Sequence, residues 1–203
     1  MITTVSIIAV LILRVAWLKR TGYLIEIFFL GYYWSFLADA IGLLINDIHY
    51  VLHYLGSALA VFIISTVISC GLSTVAYLKR LSRARYLGKE VLLNLTTTHL
   101  LTAIYEEAIW RVIILVVVAS YTNSLFAVVF VSCLFFYIHL HRFYNRSQAI
   151  EFFIFSLLLS SVYLITNSLL HVIVIHFVRN LLIGICSQGG DCDEKDIHLS
   201  GTH

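Results

Sequence analysis

The sequence predicts an all-α, polytopic membrane protein with about seven transmembrane helices. Composition points there first: 61% of the 203 residues are hydrophobic and only 12% are charged, about half the roughly 25% charge of a soluble domain. The apolar residues also fall into stretches close to the ~20 residues that a helix needs to cross a hydrocarbon core. Basic residues, finally, collect in every second connection between those stretches.

Taken in order, the apolar segments are Ile2–Leu18, Leu24–Ile45, Val51–Leu78, Val91–Val118, Leu125–His141, Gln148–Thr166 and Leu169–Cys186. The first carries no basic residue at its start and no small-residue cleavage site after it, so it reads as a retained helix. The third and fourth are long enough to tilt or to extend beyond the membrane. Lys19 and Arg20 follow the first segment, Lys79, Arg80, Arg83, Arg85 and Lys89 the third, and Arg142 and Arg146 the fifth. The alternate loops, around Asp47, Ser120–Ser124 and Thr166–Ser168, carry neither lysine nor arginine. This alternation puts the N-terminus outside and the C-terminus in the cytoplasm. The organisation expected is N-terminal helices and a basic loop over 1–90, a helical core over 91–186, and a polar, disordered tail over 187–203 without a hydrophobic face.

A net charge of +2 gives no footprint for nucleic acid. The four cysteines, Cys70, Cys133, Cys186 and Cys192, make no disulfide framework. Cys186, Cys192, His198 and His203 match no zinc-finger spacing.

The stretch Ala103–Leu115, A-I-Y-E-E-A-I-W-R-V-I-I-L, breaks the apolar rule. Each charge at mid-membrane costs roughly 2.5–3.5 kcal/mol on insertion scales, against about 0.3–0.6 returned by each large aliphatic residue. Three charges in two turns cancel most of that helix's insertion energy, so they must pair, face a cavity or do chemistry. Glu107 and Arg111 are four apart and can pair on one face. Glu106 is turned about 100° away. That division sets a candidate general base beside a structural ion pair.

Other polar groups join it from elsewhere in the chain. Phe135 and His139 share a face of segment five, and His176 and Asn180 share one of segment seven, where both can offer N–H donors. His99, seven residues before Glu106, shares its face and is a candidate supporting residue. His141 and His171 read as interface or packing residues. Arg179 is expected to point away from His176 and Asn180, toward a structural or headgroup contact. Asp39 and Glu26 are taken as the remaining acids inside the membrane segments.

The motifs E-E-x-x-x-R, F-x-x-x-H and H-x-x-x-N, on segments four, five and seven, resemble the CPBP family (CAAX proteases and bacteriocin-processing enzymes, also called Abi) of intramembrane glutamate-type endopeptidases. The resemblance covers about residues 91–186, so segments four to seven would form the catalytic core. Trp110 and Val112 stand where the family commonly has Phe and Gly, which bears on pocket shape. The resemblance implies that Glu106 with His139 activates a water and that His176 and Asn180 donate to the oxyanion. Glu107 and Arg111, with Phe135, would orient them. It implies no metal and no other cofactor; zinc on Glu106, His139 and His176 is the rival reading within the protease class, although no H-E-x-x-H motif is present. The implied partners are the lipid bilayer and a membrane-anchored peptide or protein substrate, in a prokaryotic cytoplasmic membrane, with oligomeric state open. A non-catalytic immunity or chaperone-like protein of the same fold, and a proton or ion translocator, are the readings from other classes.

Overall fold

The computed structural model describes residues 31–70, 87–142 and 146–199, and every regular element among them is helical. Helix α1 is Trp34–Asp47 and runs through a short 3₁₀ turn, Ile48–Tyr50, into α2, Val51–Cys70. After Gly88 comes α3, Lys89–Glu107, which passes without a break into a π-helical segment, Ala108–Leu115, and then α4, Val116–Tyr121. Helix α5 is Ser124–His139, α6 is Arg146–Thr166 and α7 is Leu169–Leu199. Segments two to seven of the sequence reading thus appear as about six helical rods among the described residues. The first, Ile2–Leu18, lies outside them, as do residues 71–86 with most of the basic loop. Helix α7 continues to Leu199, across most of the stretch expected as a polar tail.

Local signals explain the joints. Asn123 caps α5 by accepting the Phe126 N–H at 2.9 Å, the preferred use of an asparagine at a helix start. Asn167 turns the chain between α6 and α7 at φ 53°, a left-handed conformation that asparagine tolerates better than most residues. Ser168 then accepts the His171 N–H at 3.2 Å, which satisfies an amide of the first turn of α7.

Among the described residues, three stretches are long and apolar enough to cross a membrane: Ile48–Val67, Arg146–Thr166 and Leu169–Cys186. Helix α5 is apolar but shorter. Helix α7 is the hub, packing against α1, α2, α3, α6 and the π segment. Its buried aliphatic residues, Leu169, Val172, Ile173 and Ile175, join Ala103, Ile109–Leu115, Phe135, Phe152, Phe155 and Leu159 in one core. At the start of α7 a polar clasp ties three helices together. Ser168 donates to Asp47 of α1, His171 meets Ser57 of α2 at 2.6 Å, and the His171 ring stacks on Tyr54 at 4.2 Å. His171 is therefore a packing residue, as its sequence suggests, while Asp39 lies on an exposed face.

Candidate active site

Helix α3 ends on its two glutamates, and the π segment begins at the next residue. All eight π residues are buried. Single π turns within α-helices are frequent at functional sites, and here the widened stretch carries Trp110 and Arg111 into the centre of the bundle. Glu107 and Arg111 are both fully buried, with Arg111 Nε 3.3 Å from Glu107 Oε2. The contact is an ion pair by proximity, since neither of those atoms is aligned for a hydrogen bond. The guanidinium also donates from Nη2 to Ser156 of α6 at 3.4 Å and lies 4.5 Å from the centre of the Phe135 ring.

Three helices bring the predicted residues together. Glu106 Oε1 is 3.5 Å from His139 Nε2 on α5, and Glu106 Oε2 is 3.6 Å from His176 Nε2 on α7. One carboxylate thus faces two imidazoles, one at each oxygen. Each imidazole is anchored through its other nitrogen: His139 Nδ1 to the Phe135 carbonyl at 2.7 Å, His176 Nδ1 to Glu107 Oε1 at 2.5 Å. A carbonyl and a carboxylate can only accept, so both Nδ1 atoms carry the proton and both Nε2 atoms face Glu106. The two glutamates, 100° apart on an ideal helix, therefore meet opposite nitrogens of the same histidine. Glu107 does more than pair with Arg111, because it also fixes the His176 ring.

Aromatic rings wall the site. Phe135 packs against Trp110, His139 and Phe152, at centroid distances of 5.3, 4.5 and 5.3 Å. Phe152 lies 5.1 Å from His139, and Phe155 lies 5.6 Å from His176. The Phe of F-x-x-x-H has a dual role here. Its carbonyl sets the tautomer of His139, and its ring covers Arg111.

Asn180 is half-buried, one turn beyond His176 on α7, and its Oδ1 accepts from Arg179 Nη1 at 3.0 Å. His99 turns its buried Nε2 toward Gly184 of α7, so close that a Cβ at Gly184 would fall 2.6 Å from it. It is also near enough to His176 for the two imidazoles to interact electrostatically. Among the described residues, no group of three or more His, Cys, Asp or Glu side chains is arranged as a metal-binding set.

Glu151 of α6 is a further buried acid, absent from the acids expected inside the membrane segments. Arg179 makes the structural contact expected of it, with Glu151, but also reaches Asn180 and does not point away from it. Arg179 Nε and Nη2 donate to Glu151 Oε1 and Oε2 at 3.1 and 2.5 Å. Adjacent residues on a helix do not normally face each other, but the length of the arginine lets one nitrogen fold back onto its neighbour. The available signal was a lone acid in one apolar helix and a lone base in the next.

No curated protein and no solved structure matches the chain. A family model does: residues 88–182 match type II CAAX prenyl endopeptidase Rce1-like. The matched segment runs from the residue before α3 into α7 and contains every residue of the three motifs. Over these residues, just under half of its length, the chain is similar to the Rce1-like family of CAAX proteases, in agreement with the resemblance carried by its motifs.

Proposed function

We propose that this membrane protein is an intramembrane endopeptidase in which Glu106 activates a water for attack on a peptide bond of a membrane-associated protein or peptide. One observation carries the reading. A single half-buried carboxylate faces the Nε2 atoms of two histidines from two other helices, and each histidine is locked by its Nδ1. The gaps of 3.5 and 3.6 Å are long for direct hydrogen bonds and bring the carboxylate and both imidazoles within reach of one small ligand beside them.

The chemistry follows from the protons. With Nδ1–H spent on the Phe135 carbonyl, neutral His139 offers a lone pair at Nε2, so it can accept a hydrogen bond from the water and orient it. Glu106 takes the other proton as the oxygen attacks the carbonyl carbon, then returns it to the leaving amine. General-base help of this kind contributes typically about 10²–10⁴-fold. His176 is different. To donate from Nε2 while its Nδ1 also donates to Glu107, it must be an imidazolium. Glu106 and Glu107 supply two negative charges against the one positive charge of Arg111, so a protonated His176 brings the buried cluster to neutrality, the state that a low dielectric favours. His176 and Asn180 would then hold the oxyanion. No serine or cysteine nucleophile is required.

In this reading the N-terminus lies outside and the C-terminus is cytoplasmic, because the basic loops alternate, and the short loops favour a prokaryotic membrane. No metal takes part. Anchored Nδ1 atoms are also what metal-ligating histidines use, so the assay must include metal removal.

The experiment is mass spectrometry of membrane-anchored peptides from cells expressing the wild type, Glu106→Ala, His139→Ala or His176→Ala at equal membrane levels. One product, present only with the wild type, is expected. In proteoliposomes and H₂¹⁸O, a single heavy oxygen should enter the new carboxyl group, at a rate that survives chelation and correlates with no bound zinc. Variants that match the wild type would end the catalytic reading in favour of an immunity or chaperone-like role. Loss of rate on chelation, restored by zinc, would replace it with the metal reading.

A further inference from the structure

We infer that Arg179, clamped by Glu151, is a positioning residue that fixes the side-chain amide of Asn180 as a hydrogen-bond donor to the reaction. The inference rests on the reading of Asn180 as an oxyanion donor given above, and it assigns roles to two residues outside the three motifs.

The clamp is built from three helices. Arg179 and Glu151 are both more than nine-tenths buried. The guanidinium binds the carboxylate through two parallel bonds, from Nε at 3.1 Å and Nη2 at 2.5 Å. Its plane lies against two rings of α6, with the central carbon 5.0 Å from the centre of Phe152 and 4.7 Å from that of Phe155. The Ser65 hydroxyl of α2 shares its one proton between the Phe62 carbonyl at 3.1 Å and Glu151 Oε1 at 3.3 Å, and so lends the carboxylate a weak further contact. A guanidinium is rigid and planar, so once Nε and Nη2 are held, the direction of Nη1 is set. That remaining nitrogen meets Asn180 Oδ1 at 3.0 Å.

The consequence concerns the two ends of an amide. A carboxamide presents an acceptor at one end and two donors at the other, and a half-turn of its last torsion exchanges them. Arginine has no acceptor, so only the Oδ1 end of Asn180 can face Nη1. With its oxygen turned to Arg179, Asn180 directs its two N–H donors to the opposite side. An oxyanion requires donors, and the reversed amide would present it with an oxygen. Arg179 therefore selects the useful orientation without touching the substrate. Its own charge is matched by Glu151, so it acts through Asn180 and not as a second cation at the oxyanion. The platform is shared as well, since Phe155 packs on His176 and Phe152 on His139.

A double-mutant cycle tests this in proteoliposomes. The probe is the membrane peptide that the wild type shortens and Glu106→Ala does not. Removing one charge alone leaves the other buried and unpaired, so Glu151→Met and Arg179→Met are combined, and thermal unfolding and membrane insertion are checked first. The double replacement should lower kcat about ten- to a hundredfold, somewhat less than the 10²–10³ typical for loss of an oxyanion donor. KM should stay within about twofold, as for an interaction made only in the transition state. In an Asn180→Ala background the same replacement should change kcat by less than about twofold, because the residue it acts through is gone. Arg179→Lys keeps the charge but not the fork, and should show the same kcat loss while folding normally; it carries the test if the double replacement does not fold. The inference is overturned if the losses multiply in the Asn180→Ala background, or if kcat is unchanged while Asn180→Ala alone is inactive. A wild-type protein that shortens no peptide ends both this inference and the endopeptidase reading.

Discussion

Two buried glutamate–arginine pairs stand beside the histidines, and they are built in opposite ways. Glu107 and Arg111 sit one turn apart on a single stretch of helix, while Glu151 and Arg179 join two helices across 28 positions of sequence. Both guanidiniums lie over phenylalanine rings, and each pair holds one of the two candidate oxyanion residues: Glu107 holds His176, and Arg179 holds Asn180. The local pair can form as soon as its helix forms. The long-range pair exists only after α6 and α7 have docked, whereas at the His176 end only the contact of the pair with the histidine waits for docking.

The largest expected effects come from halving either pair. Arg111→Met leaves Glu107 ionised with only His176 beside it, and Glu151→Met strands Arg179. Each should cost about 3–5 kcal/mol of folding stability, the usual result of an unpaired buried charge. Thermal unfolding in detergent reads it. The comparison sharpens when the second partner is also removed. Arg179→Met added to Glu151→Met should restore most of the folded yield, since an apolar pair of similar volume is often as stable as the ions it replaces. Glu107→Met added to Arg111→Met should restore less, because Glu107 is also the anchor of His176 Nδ1. Equal recovery in the two cases would show that the His176 contact adds nothing to stability.

The same contrast decides how much could be read in advance. The 3.6-residue period alone pairs Glu107 with Arg111, and the three motifs announce the residues that converge on Glu106. Helix existence was readable too, because apolar length and the absence of proline leave few alternatives. The Glu151–Arg179 pair was not readable, since no local period relates two helices, and each residue taken singly looks like an interfacial charge. Nor does spacing show that both glutamates reach the same histidine. Ideal helix geometry turns them apart, and only the location of His176 between them, with a nitrogen on each side, reveals the bridge. His99 illustrates the limit in the other direction: it shares a helical face with Glu106, yet its Nε2 is directed at Gly184.

That contact between α3 and α7 gives an intermediate effect that bypasses both ion pairs. A methyl group at position 184 would lie 2.6 Å from His99 Nε2 and 3.3 Å from Leu95 Cδ2. Gly184→Ala should therefore cost about 1–3 kcal/mol, the range for overpacking a filled interior. Because the nearest atom is the tip of a side chain, His99→Ala in the same protein should recover most of the loss. If Gly184→Ala proves neutral, the His99 ring moves aside without cost and does not fix the approach of α7 to α3.

Two serines separate the pairs by how fully each is bonded, and one of them gives the smallest effect. Ser156 gives Arg111 Nη2 an acceptor at 3.4 Å, and Ser65 donates to Glu151 Oε1 at 3.3 Å. The distances are alike and both serines are fully buried, so a count of bonds would predict equal losses on replacement by alanine. The surroundings are unlike. Arg111 Nε and Nη1 make no hydrogen bond of their own, so Ser156→Ala removes an acceptor from a fully buried guanidinium with little else to hold it. Glu151 keeps two bonds from Arg179 when Ser65 is lost. Ser156→Ala should cost about 1.5–3 kcal/mol, as for a hydrogen bond to a charged group, and Ser65→Ala about 0.5–1 kcal/mol, nearer a neutral bond. Thermal unfolding of the two single variants under one condition measures the order directly. If Ser65→Ala is the costlier, the long-range pair is held by its surroundings more than by its own two bonds, and the clamp on Asn180 begins at α2.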